Sequence, residues 1–292
     1  MSKYYWDNKI EYLRNTRGLY YNDDYLEFLV KKVWKIDEPV DMIDYGCGFG
    51  YMGLKLLPIL PEGSTYTGVD RGHDLIEEAK KIFKNLPYKT DFIVEDITQI
   101  VMERQYDIAL CHAVLLHMAN PKVVLKNMIN SVINNGKVIC FETHRISCMS
   151  NYHVDGVEHS QIVRLGVLQK LYENDFLEKG KDGNIGIKLP IILSQLGLKN
   201  VECRVSDKVN YFDQLMEQHS KDMLYEALKE EGLGYEPKDK SNTINYLMDR
   251  GLTQEEANEQ YEAELLESKL FNKESRLTFA PNMKITFGVV KR

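Results

Sequence analysis

Val40-Asp41-Met42-Ile43-Asp44-Tyr45-Gly46-Cys47-Gly48-Phe49-Gly50 sets a short apolar, β-branched run directly before three alternating glycines, with a carboxylate one residue short of the strand end. Glycines in that place let the chain turn sharply and bring its backbone against a ligand that a Cβ would hold off. The stretch therefore reads as the loop of a nucleotide-type cofactor site, and Asp44 bears on which cofactor it takes.

Outward from this loop, β-branched runs alternate with helical stretches. Strands are expected at residues 40–45, 65–69, 91–94, 106–111 and 137–142, with helices at 74–85 and 121–133 between them. A second set gives a helix at 187–196 and strands at 201–209 and 284–290. The alternation predicts an α/β fold: a Rossmann-like, seven-stranded, mostly parallel sheet with helices on both faces. Residues 1–37 form an expected N-terminal helical cap, its second helix capped by Asn22 and Asp23. The core is expected over 38–212 and 281–292, with a helical insertion at about 145–180 and a second at 213–280. In the second insertion Thr253 and Glu256 have the spacing of a capping box. Both insertions leave the sheet at the carboxyl ends of its strands, where open α/β folds hold their ligands.

Composition narrows the partners. A hydrophobic share of 43% and a charged share of 28% in 292 residues supply a full core, so disorder is not expected. With 37 basic and 44 acidic side chains, the formal charge of -7 disfavours nucleic acid. Cys47, Cys111, Cys140, Cys148 and Cys203 form no CxxC pair and no zinc spacing, so they read as buried thiols in a reducing compartment, and no metal site is expected. The amino terminus lacks the order of a secretory signal, and no apolar run approaches the roughly 18 residues of a membrane helix. The expectation is a cytoplasmic protein, monomer or homodimer, with no membrane partner.

The glycine loop admits two frames. From Gly48, Gly48-x-Gly50-x-x-Gly53 satisfies GxGxxG, with Asp70 about 20 residues on as a dinucleotide site requires. From Asp44, the loop is Asp-x-Gly-x-Gly-x-Gly, and here it resembles the class I S-adenosylmethionine-dependent methyltransferases. Gly46 directly follows the strand, whereas Gly48 starts two residues late. A carboxylate beside the loop suits a ligand with an ammonium and a sulfonium and would repel a pyrophosphate. Asp70 and Asp96 end two further strands at the same edge.

The segment after the fourth strand, His112-Ala113-Val114-Leu115-Leu116-His117-Met118 with Asn120-Pro121 beyond it, is similar to the small-molecule (type 11-like) branch, where a Leu-His pair precedes Asp-Pro. Asn134-Asn135-Gly136 stands where that branch has Lys-Pro-Gly-Gly; Asn and Gly both accept positive φ, so a turn survives. The Asn/Asp-Pro-Pro-aromatic tetrapeptide of enzymes that methylate exocyclic amines is missing. The likeness spans residues 38–144, and the rest follows only in topology.

The resemblance implies S-adenosyl-L-methionine as cofactor and a small organic molecule as acceptor. It assigns Asp70 to the ribose hydroxyls and Asp96 with Ile97 to the adenine edge, and it adds Asp44, Gly46, Cys47, Gly48, Gly50, Arg71 and His112 to the cofactor set. Each Asp has the plainer reading of a helix cap. His117 and His144, at strand ends, are candidates for the base that takes a hydroxyl proton, against the plainer reading of packed residues. Tyr20, Tyr21, Tyr152, Tyr172, Tyr211, Met149 and Phe212 are candidates for an apolar acceptor lining, with domain core as the alternative. Competing functions are an NAD-dependent oxidoreductase, for which residues 145–160 offer no Tyr-x-x-x-Lys, a protein that binds the cofactor without methyl transfer, and an interaction protein.

Overall fold

The computed structural model describes residues 4–237 and 239–292. Its strands are β1 Asp41–Tyr45, β2 Thr65–Asp70, β3 Lys89–Val94, β4 Tyr106–His112, β5 Val132–Glu142, β6 Tyr152–Val154, β7 Lys199–Val205, β8 Asn210–Phe212, β9 Leu277–Phe279 and β10 Lys284–Val289. Its α-helices are α1 Ile10–Arg17, α2 Asp23–Phe28, α3 Tyr51–Leu56, α4 His73–Phe83, α5 Pro121–Asn130, α6 Arg145–Ser150, α7 His159–Ile162, α8 Leu165–Lys179, α9 Ile185–Gln195, α10 Gln218–Glu231, α11 Lys240–Asp249 and α12 Gln254–Leu270.

Seven strands form one sheet in the order β3-β2-β1-β4-β5-β10-β7, parallel except for β10, which runs antiparallel between β5 and β7. Successive side chains of a strand point to opposite faces, and the core divides accordingly. Met42, Tyr66, Leu110 and Phe141 pack with α2, α3 and α4 on one face; Ile43, Tyr45, Ala109 and Cys140 pack with α5 and α9 on the other. Burial on both faces explains why the central strands read as nearly unbroken apolar runs. Strand order reverses between β1 and β4, so their carboxyl ends open a crevice that carries the site.

The seven-stranded α/β sheet stands as expected. The helix expected at 121–133 instead stops at Asn130, and β5 begins at Val132, five residues early. Asn135 takes φ 70 inside that strand. A Cβ on Gly136 would stand 2.6 Å from the Asp107 carbonyl, so glycine is required there. The helical insertion expected at about 145–180 also contains β6, which joins β9 and β8 in a separate antiparallel sheet. The Thr253 capping box forms, with Glu256 Oε2 accepting from Thr253 N at 2.7 Å. The cap expected from Asn22 does not: its side chain donates to Asp207 at 2.7 Å and leaves α2 without a side-chain cap. Among the described residues no helix is long and apolar enough to cross a membrane, and no cluster of His, Cys, Asp and Glu is placed to hold a metal.

Candidate functional site

A cavity of about 630 Å³ opens at the carboxyl ends of β1, β2 and β4, within the range of about 300–1,000 Å³ usual for small-molecule sites. Its floor is the glycine loop. Gly46 directly follows β1 with φ 78, and its N–H and that of Cys47 both donate to the Val69 carbonyl, at 2.7 and 3.0 Å. A Cβ on Gly46 would lie 2.5 Å from Val114, so the close approach of the segment after β4 depends on this glycine.

Three carboxylates stand at successive strand tips. Asp44 is buried; its Oδ2 accepts from Tyr66 Oη at 2.7 Å, and its Oδ1 has no partner among the described residues. Burial pushes its pKa up to about 7; the Tyr66 hydrogen bond opposes this, Asp70 adds to it and Arg17 opposes it. Asp70 ties two loops together, accepting from Gly48 N at 3.0 Å and Gly72 N at 2.8 Å. Burial raises its pKa against those two bonds. Asp96 Oδ1 accepts from Thr98 N and Oγ1 at 2.9 and 2.7 Å, a local turn. Ile97 is fixed beside it by Asn127, which donates to its carbonyl at 2.9 Å.

Cys47, Gly48, Arg71, His112 and His117 also face the cavity. Burial pushes the Cys47 thiol well up, which makes it inert. The Arg71 guanidinium lies 5.0 Å over the Tyr4 ring. His112 is buried among Tyr20, Tyr21, Tyr51 and Phe141, its Nε2 without a hydrogen-bond partner among the described residues, and burial holds it neutral. Gly50 lies one step outside, capping α3 with φ 86. His117 ends the 3-10 turn Leu115–His117 and rests against Trp6, ring centroids 5.0 Å apart. Burial first, then Arg145, Arg17 and Lys181, bring its pKa down to about 4, so it is a neutral base at physiological pH.

His144 is not brought into this group. It precedes α6, does not line the cavity, and is lowered by burial and then by Lys284. The aromatic lining expected for the acceptor also lies elsewhere: Tyr152, Met149 and Phe212 pack around the small sheet, Tyr20 and Tyr21 are sheet core, Tyr211 is exposed, and Tyr172 faces a separate shallow pocket.

The amino-terminal cap was expected, but sequence reasoning missed which of its residues reach the cavity, and it missed a buttress. Tyr4, Tyr5, Trp6, Leu13 and Arg17 all line the cavity, brought over it from the amino terminus. Asp7 accepts from Leu75 N at 3.2 Å and so docks that segment on α4. The buttress is Glu142, fully buried at the end of β5, which accepts from the backbone N–H groups of Val114, Leu115 and Leu116 at 2.9, 2.7 and 3.4 Å. It shapes the turn that presents His117. An acidic residue closing an apolar strand was the available signal, the same one that marks Asp70 and Asp96.

Residues 36–183 match the family model described as a methyltransferase domain. A ubiquinone biosynthesis O-methyltransferase of Rickettsia felis is 24% identical over 123 residues, covering 41% of this chain and 49% of that protein. The corresponding enzyme of Rickettsia canadensis is 26% identical over 200 residues, covering 64% of this chain and 81% of that protein. The chain spans about half the length of most of these curated relatives. A SAM-dependent methyltransferase from Geobacter sulfurreducens, solved with S-adenosyl-L-homocysteine, superposes with TM-score 0.50 at 14% identity and covers 100% of both chains, a likeness of fold.

Proposed function

Because the chain belongs to the family of methyltransferase domains, we propose that it transfers a methyl group from S-adenosyl-L-methionine to a small organic acceptor, most readily at a hydroxyl oxygen. The observation that carries this is the unpartnered Asp44 Oδ1, buried at the cavity floor beside a bare glycine bend. A buried carboxylate oxygen without a donor calls for a cationic one, and the cofactor's α-ammonium is such a group. A dinucleotide pyrophosphate would instead meet Asp44 and Asp70.

Asp70 would accept from the ribose hydroxyls with its remaining lone pairs, and Asp96 with the backbone at Ile97 would take the adenine edge. The glycines Gly46, Gly48 and Gly50 hold the bend, with Cys47 between them, and His112 and Arg71 close the sides. Arg17, whose charge acts on Asp44 and His112, would hold the amino-acid carboxylate. When bound, the cofactor supplies a methyl group already activated by positive sulfur. The chain has to orient the acceptor, exclude water and remove a proton, and positioning alone supplies up to about 7–11 kcal/mol in favourable cases. His117 stands in the cavity as the neutral base for that proton, a role His144 does not reach.

We further read residues 1–37 as a cap and 213–280 as an insertion on a core of 38–212 and 281–292. Its five free cysteines suit a reducing compartment, which favours the cytoplasm, with the chain as monomer or homodimer.

Titration calorimetry with S-adenosylhomocysteine tests the cofactor reading, and transfer of labelled methyl to an acceptor panel separates catalysis from binding alone. Asp70→Ala is expected to weaken S-adenosylhomocysteine by about 1–3 kcal/mol through lost charge-assisted bonds. Unchanged affinity would remove the ribose assignment. A second expectation concerns pH. Asp44 faces Tyr66, Asp70 and Arg17, and with a pKa of about 7 it is largely protonated in mild acid. An ammonium ligand binds its ionised form, so affinity should fall as pH drops from 8 to 6, and Asp44→Asn should flatten that dependence while lowering affinity throughout. A wild-type profile flat over this range would argue against the ammonium contact.

A further inference from the structure

Helix α10 ends on Glu230 and Glu231, directly before Gly232, which caps it with φ 113. The last turn of a helix leaves carbonyl groups unpaired and favours cations, so two carboxylates there oppose the local electrostatics and call for a tertiary reason. The fold supplies one. Glu231 Oε2 accepts from Tyr20 Oη at 2.8 Å and from Tyr12 Oη at 3.5 Å, and Glu230 Oε1 accepts from Asn15 Nδ2 at 3.1 Å. All three donors belong to the amino-terminal segment that walls the cavity.

The inner side of that segment carries the site. Helix α1 supplies Leu13 and Arg17 to the cavity wall. Tyr20 stands between this wall and Glu231. The Arg17 guanidinium lies 6.0 Å from the centre of the Tyr20 ring, and the His112 ring meets that ring edge-on with centroids 6.2 Å apart. The backbone of Arg17 is pinned from the other direction, its carbonyl accepting from Tyr51 Oη of α3 at 2.9 Å. So the main chain of Arg17 is fixed by the helix of the glycine loop, while its side chain rests on a ring anchored from α10. Without Glu231 the buried Tyr20 hydroxyl loses its acceptor, and the ring has to shift to find another. Among the described residues none from 213–280 lines the cavity.

We propose that Glu231 is a positioning residue for the cofactor: through Tyr20 and Tyr12 it holds Arg17 toward the amino-acid end of the ligand, so the 213–280 insertion sets the affinity of a site it does not line. The coupling is reciprocal, and a ligand whose carboxylate engages Arg17 firms the docking of α10 by the same factor. The inference rests on the cofactor reading of the cavity and on Arg17 as partner of the cofactor's carboxylate.

The test is calorimetry on the full chain with S-adenosylhomocysteine and with 5′-methylthioadenosine, which has the same nucleoside and no amino-acid end. A parent protein that does not bind S-adenosylhomocysteine removes the cofactor reading and this inference with it. In a parent that binds, Glu231→Ala is expected to weaken S-adenosylhomocysteine about fivefold or more and Tyr20→Phe about threefold or more, with 5′-methylthioadenosine within about twofold in both. A general loosening of the fold would weaken the two ligands alike. Tyr20→Phe keeps the ring in the core, so it carries the test even where Glu231→Ala does not fold. The double variant should bind no more weakly than Glu231→Ala alone, because the two changes remove one bond. Glu231→Gln keeps an acceptor oxygen and should return S-adenosylhomocysteine to within about twofold of the parent. Unchanged affinity in both single variants, additive losses in the double one, or equal losses for the two ligands would overturn the proposal and leave the cofactor reading standing.

Discussion

Replacing His117 with Asn is expected to lower kcat by about 10²–10⁴, the range for loss of a positioned general base, while S-adenosylhomocysteine affinity stays near the parent value. The imidazole stands in the cavity against Trp6. Burial and three nearby cations hold its pKa at about 4, so the proton-free form prevails throughout the neutral range. Steady-state rates with a hydroxyl acceptor, beside calorimetric cofactor affinity, check this. A variant within threefold of the parent kcat would return His117 to a packing role and leave the acceptor's own acidity to shed the proton.

The second large effect falls on stability. Glu142→Ala removes the acceptor of three backbone N–H groups at a fully buried position. Each orphaned buried donor costs about 1–3 kcal/mol, so a loss of about 3 kcal/mol or more is expected in denaturant unfolding. Glu142→Gln keeps one carbonyl oxygen for Val114 and Leu115 and should lose less. Burial also raises the Glu142 pKa from 4.5 to about 7, against the three donors. The folded state then binds more protons than the unfolded one between those values. Its contribution is full below 4.5 and is lost as pH rises through about 7, so Glu142→Gln should flatten the decline of stability across that window. A decline as steep in the variant as in the parent would place its origin elsewhere.

What the sequence made legible follows from what local pattern can encode. The central strands could be read because each is apolar on both faces, and the glycine bend because its residues are contiguous from Asp44 to Gly50. Strands β6, β8 and β9 could not: three residues carry no periodicity, and β9 pairs with segments that are distant in the chain, β6 more than a hundred residues before it. His117 and His144 looked equivalent as strand-end histidines. They separate because Glu142 gathers the chain after β4 into a turn aimed at Trp6, whereas His144 leads into α6 beside Lys284. An amino-terminal cap was legible, but Arg17 and Trp6 were not as its site residues, because only the docked path of the segment over β1 and β4 decides which side chains face the cavity.

That return has a kinetic meaning. The segment is fastened on one rim by Asp7 to Leu75 and on the other by Trp6 to His117, with Tyr4 under Arg71 between them. Whatever fills the chamber is walled on that side by the protein's own first helical turns, so loosening them by Asp7→Ala is expected to shorten its residence time. The same wall covers the His117 imidazole through Trp6, so loosening it is expected to expose that ring to solvent as well.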